Sequence, residues 1–155
     1  MSETSRIADQ LHRAYAGVAW HGPALTAILN DVTAAEAFAH PIAGAHSIWE
    51  LVLHITVWMS VAIQRVKGEV LVDLPPDRNF PEPGEPSEAR WRAALDALAN
   101  MQQRLEAVIR GLPDARLSDI VMGDEPQSIY ILLHGVVQHN LYHGGQMALL
   151  KKAAR

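Results

Sequence analysis

The 155-residue sequence predicts an all-α fold, a four-helix bundle with a long crossover between the second helix and the third. Three observations carry that expectation. Four long segments repeat apolar residues at helical spacing. Capping or breaking residues bound most of them. A linker holding five prolines, residues 68–86, separates the middle two. No substantial sheet is expected. The length suits a single domain over residues 1–155, and a chain of this size buries about 70% of its unfolded surface, enough for a core without staples.

The first helix is expected from about Thr4 to Ala19, with Ile7, Leu11, Tyr15 and Val18 on its buried face and Gly22-Pro23 beyond it as a break. A shorter helical stretch carries Leu25, Ile28, Leu29 and Val32, and the spacing of Thr33 and Glu36 is that of a capping box opening one more short turn. Ser47 and Glu50 repeat this spacing at the start of the second long helix, which runs to about Lys67 before Gly68. That helix is apolar nearly all round, the pattern of an element buried on most sides or used for a subunit contact.

Prolines 75, 76, 81, 83 and 86 predict an extended linker. Its 19 or so residues can reach about 60 Å, whereas a 20-residue helix spans about 30 Å. The linker can therefore cross the whole molecule and start the third helix parallel to the second. The third helix is expected from about Ser87 to Arg110, with Trp91, Leu95, Leu98, Leu105, Val108 and Leu112 marking its buried side and Gly111 and Pro113 stopping it. Residues 114–127 read as a loop with a turn at Gly123-Asp124. The fourth helix follows from about Ser128 to Ala153, and Lys151 and Lys152 suit its negative end.

The absence of cysteine removes disulfides, thiolate metal sites and thiol nucleophiles, and fits a reducing compartment. A net charge of −4 gives no basis for nucleic-acid binding. The polar N-terminal residues carry no secretory signal, and the apolar stretch Leu51 to Ile63 is short for a membrane span. These features predict a cytoplasmic protein with no membrane or nucleic-acid partner. No phosphate loop, GxSxG or HExxH motif is present. Asp73, Asp77, Glu82 and Glu85 in the linker read as solvated charge.

Histidine is the unusual residue, with eight copies. Each helical residue advances about 100°, so His139 and His143 lie about 40° apart on the fourth helix. Leu132, Val136, Met147 and Leu150 fall on the same stripe, so both imidazoles sit in its middle and can chelate one ion. His134 falls about 180° away, which places it at a surface or an interface. His54 lies at the edge of the apolar stripe of the second helix, beside Leu51, Ile55 and Trp58, where Trp49 and Trp58 can exclude water. Together His54, His139 and His143 form a candidate three-nitrogen metal site with open positions. The pair's spacing alone is a weak signal that satisfied core histidines also give, and taken singly His54 reads as a satisfied core histidine. His12, His21, His40 and His46 lie near helix ends or loops and are not expected to ligate. Gly144-Gly145 costs a helix about 2 kcal/mol relative to alanine, which points to a close approach by a ligand or by a neighbouring backbone.

The segments His46-Ser-Ile-Trp-Glu-Leu-Val-Leu-His54-Ile-Thr-Val-Trp58 and Leu133-His-Gly-Val-Val-Gln-His139-Asn-Leu-Tyr-His143-Gly-Gly-Gln146 resemble the DinB-like (also YfiT-like) metalloenzyme superfamily. The resemblance implies an up-down-down-up four-helix bundle. It implies one divalent ion, zinc or nickel, held by His54, His139 and His143. Characterised relatives include S-transferases and isomerases that use a low-molecular-weight thiol, and some hydrolases. The chain departs from the pattern at Asn140, where relatives often carry an acidic residue beside the middle histidine. An enzyme of this kind would act on a small-molecule electrophile, with Tyr142 and Gln146 as candidate near-site contacts. The alternative is a non-catalytic, metal-stabilised bundle with a binding or stress-response role. The apolar second helix, with Trp20, Trp49 and Trp58, predicts a homodimer in either case.

Overall fold

The computed structural model describes residues 1–123 and 125–155; the second half of the turn expected at Gly123-Asp124 lies outside the described residues. The chain is mostly helical: α1 (Glu3–Tyr15), α2 (Leu25–Leu29), α3 (Ala34–Phe38), α4 (Ile48–Val66), α5 (Pro76–Asn79), α6 (Glu88–Arg110) and α7 (Ile129–Ala153). A 3-10 turn at Asp114–Ser118 and a two-stranded ribbon, β1 (Ile120–Val121) with β2 (Gln127–Ser128), occupy the stretch read as a loop. Among the described residues no helix is long and apolar enough to cross a membrane.

Both capping boxes form. The Thr33 hydroxyl accepts from the Glu36 amide and the Ser47 hydroxyl from the Glu50 amide, while each glutamate returns a bond to its cap residue. Gly68 adopts a φ of 94° just past α4, the left-handed conformation that ends a helix at least cost in a residue without Cβ. α1 is shorter than its pattern. The Ala16 amide closes it on the His12 carbonyl, so Val18 lies beyond the helix and is exposed rather than buried.

α4 packs on α6 and α7, and α1 packs on the same two helices. Trp49, near the start of α4, meets Trp91, near the start of α6, with ring centroids 5.2 Å apart. At the other end Arg116 donates to the Val66 carbonyl. The contacts between α4 and α6 therefore run in parallel, as the long crossover allows. α1 runs the opposite way, since Asp114, just past α6, accepts from the Glu3 and Thr4 amides at 2.8 and 3.0 Å. The crossover is not wholly extended. Pro76 opens α5 at a position where the missing N–H costs nothing, and α5 packs on α4.

Two expected faces are corrected. Trp49 is 2% exposed in the central core, so it offers no surface to a partner chain. On α6 the buried line is Trp91, Ala94, Leu98, Gln102, Leu105 and Ile109, whereas Leu95 and Val108 are only partly buried at its edge. Gln102 obscured that line because a polar residue fills a core position. Its amide nitrogen donates to Glu106 at 2.8 Å and to the Leu11 carbonyl at 3.4 Å.

Candidate metal centre

α4 and α7 bring His54, His139 and His143 together, each offering a ring nitrogen within 4.8 Å of the others. His139 Nε2 lies 3.0 Å from His54 Nε2 and 3.1 Å from His143 Nε2. Two nitrogens bound to one ion at about 2.0–2.1 Å stand about 3 Å apart when the angle between the bonds is near 90°.

Hydrogen bonds at the far side of two rings decide their tautomers. His54 Nδ1–H donates to the Asn79 carbonyl at 2.8 Å. His143 Nδ1–H donates to Gln146 Oε1 at 2.6 Å. Each leaves an Nε2 lone pair turned toward His139. A neutral His139 carries at most one hydrogen on Nε2, which cannot satisfy both lone pairs. A cation on the three nitrogens satisfies all of them, so the residues present fit a divalent ion. Burial keeps all three rings neutral, as ligation requires. It holds His54 and His143 below the ordinary imidazole range, and burial together with the neighbouring His143 and His54 pushes His139 down to about 3.

The crossover completes the wall. Asn79 receives His54 with its carbonyl and the Trp58 indole N–H with its side chain, at 2.8 Å in each case. Phe80 stacks on His54 at 3.9 Å, with the rings 5° from parallel, and His46 stacks on the other side of Phe80 at 3.8 Å. Trp58 meets His54 and His139 with ring centroids 6.3 and 6.2 Å apart. Sequence reasoning missed Asn79 and Phe80. The only available signal was an aromatic residue set in a proline-rich linker.

A cavity of about 370 Å³ opens beside His143. Ile42, Leu51, Phe80, Leu149 and Leu150 give it apolar walls, and His46, His143 and Gln146 give it polar atoms. Tyr142 also lines it, largely exposed, with its ring 5.0 Å from that of His143. Among the described residues no Asp, Glu, Lys or Arg lines this cavity.

The other singled-out positions stand apart. His134 lies off the cluster, with its ring 4.4 Å from that of Tyr130. Asn140 is 1% exposed, and its two side-chain polar atoms find no hydrogen-bond partner among the described residues, His139 Nδ1 included. A Cβ on Gly144 would meet Leu25 at 3.3 Å, so this glycine admits α2 against α7; Gly145 faces open space. The close approach is that of a neighbouring helix.

No curated protein and no solved structure matches the chain. Residues 18–147 match the DinB superfamily, and with its paired histidine segments lying inside that match, the chain belongs to the DinB superfamily.

Proposed function

We propose that this protein is a metal-dependent enzyme acting on small electrophilic substrates, either as an S-transferase using a low-molecular-weight thiol or as a hydrolase. His54, His139 and His143 hold the ion, zinc or nickel, through their Nε2 atoms. The observation that carries this reading is the pair of lone pairs, fixed by Asn79 and Gln146, that converge on His139 next to an open cavity. Bound there, a divalent ion lowers the pKa of a thiol or water that reaches it.

The chain's own residues do the remaining work. Asn79 and Gln146 hold two ligand rings in the metal-binding tautomer. Trp58 and Phe80 cover the rings from water. The apolar cavity walls hold the body of the substrate beside His143. Among the described residues no fourth His, Cys, Asp or Glu joins the three, which favours this reading over a closed, purely structural site in a non-catalytic bundle.

The parallel contacts of α4 with α6 support an up-down-down-up four-helix bundle, and the continuous hydrophobic core among the described residues supports one domain over residues 1–155. Fully exposed Trp20, next to exposed Val18, supports a homodimer. The cysteine-free sequence supports a cytoplasmic location.

The test is metal analysis of the purified protein, followed by assays with electrophiles in the presence and absence of thiols. Stoichiometric zinc or nickel with thiol-dependent or hydrolytic turnover is expected. Metal-free protein that binds neither ion on addition would overturn the reading.

A further inference from the structure

The cavity beside His143 contains a second histidine that the metal site does not use. His46 stands just before α4, and its Nδ1 lies 3.3 Å from Glu50 Oε2. A carboxylate only accepts, so Nδ1 carries the hydrogen and Nε2 keeps its lone pair. Glu50 is well held for this task. The same oxygen accepts from the Ser47 amide at 2.7 Å and from His40 Nε2 at 3.1 Å. Burial raises the Glu50 carboxyl, but the Ser47 amide and the two imidazoles outweigh burial and keep it ionised below its ordinary range. The flat stack on Phe80, 3.8 Å away and 6° from parallel, fixes the plane of the His46 ring. His46 lines the cavity, whereas His40 does not.

We propose that His46, oriented by Glu50, is the proton-transfer residue of this cavity, and that its substrate has an uncharged, apolar body. The inference deepens the reading above, because it concerns the same cavity. Nε2 takes the proton from a thiol or water. The electron pair left on sulfur or oxygen forms the bond to the electrophilic carbon of the substrate. The bond from that carbon to the leaving atom breaks, and the leaving atom takes the proton back from the His46 imidazolium. Glu50 stabilises the imidazolium between the two transfers. Among the described residues no Asp, Glu, Lys or Arg lines the cavity, which gives a charged substrate body no partner there.

The experiment uses the purified, metal-analysed full chain and 4-nitrophenyl acetate, an uncharged aromatic ester that water cleaves to acetic acid and nitrophenol. Saturable turnover is expected. His46→Gln should lower kcat by about 100-fold, the scale of one proton-transfer group, with KM and metal content unchanged. Glu50→Gln keeps a residue that serves at this capping-box position, so α4 still starts normally. It should lower kcat less than His46→Gln does, and nitrogen-15 NMR should show His46 passing from one Nδ1–H tautomer to a mixture. A wild type without saturable turnover overturns the proposal, as does an unchanged kcat in His46→Gln or a wild-type His46 protonated at Nε2. Turnover that depends on His46 in protein unable to bind metal would remove the metal reading and leave this one standing. Full metal binding with turnover indifferent to His46 would do the reverse.

Discussion

At the scale of single residues, the candidate metal centre depends on which side of each imidazole is free. His139 and His143 share one helix face and His54 reaches them from α4, so three lone pairs meet only while all three rings are present. His139→Ala and His143→Ala are therefore expected to strip the ion, and His134→Ala to retain it, as measured by metal content after gel filtration. Full occupancy in His143→Ala would refute the assignment. The candidate ligands were legible in the sequence because helical spacing fixes angles, and angles put the pair on an apolar stripe where an unpartnered imidazole is costly. The supporting residues were not. Asn79 holds His54 through a main-chain carbonyl, which any residue could supply, and Phe80 has no periodic neighbours to announce its burial. His46 was read as a residue near a helix end, and only its hydrogen bond to Glu50 and the wall it shares with His143 give it a role.

At the scale of elements, starts and stops were the most readable features, because caps are local chemistry. Ser47 with Glu50, and Thr33 with Glu36, close the same reciprocal bonds that their spacing predicts. What failed at this scale failed where a pattern outran its helix or a polar residue took a core position. Val18 continues the α1 pattern after the helix has ended, and Gln102 hides the true buried face of α6 behind a polar side chain. The crossover combines both lessons. Its prolines announced a break and its length announced a parallel partner, but nothing local predicted that α5 would dock on α4 and bring Asn79 to His54. Its length sets a testable limit. α4 has 19 residues, which span about 28 Å, whereas a five-residue loop reaches about 17 Å. A variant with the crossover cut to five residues cannot join the end of α4 to the start of a parallel α6. It is expected to lose the cooperative thermal transition of the wild type. A cooperative melt with bound metal in that variant would contradict the parallel arrangement.

At the scale of the whole molecule, the apolar excess of α4 is largely consumed internally, since α3, α5, α6 and α7 all pack on it. The exposed apolar residues Val18 and Trp20 are what remains near the end of α1. If they form the contact between two copies, sedimentation should give a dimer for the wild type and a monomer for Trp20→Ala, whereas a wild-type monomer at high micromolar concentration would remove the dimer. Acid tests the fold as a unit. His139 is held neutral at a pKa of about 3 by burial and its two neighbours, against 6.5 for an ordinary imidazole. A folded pKa below the unfolded one means that the unfolded chain binds the proton more readily, so this contribution is complete above about pH 6.5 and is lost as the pH falls toward 3. His54 and His143 are shifted the same way by burial and add to the loss. The carboxylates act in the same direction but later. Asp31 is lowered to about 2 by Lys151 and Arg155, and Glu36 to about 2 by Arg155 and Thr33, so the ties of α7's C-terminal end to α2 and α3 weaken only below about pH 4. Asp114, lowered by the Thr4 and Glu3 amides it caps, releases the start of α1 in the same direction. Urea melts of metal-free protein should therefore show a midpoint that falls steadily from pH 7 to pH 4, before the carboxylates contribute. His139→Gln should flatten that slope. In metal-loaded protein the slope should steepen, because protonated imidazoles also release the ion. A midpoint that stays constant from pH 7 to pH 4 in the metal-free wild type would mean that the three rings are not held neutral in the core, and the convergent lone pairs would lose their basis.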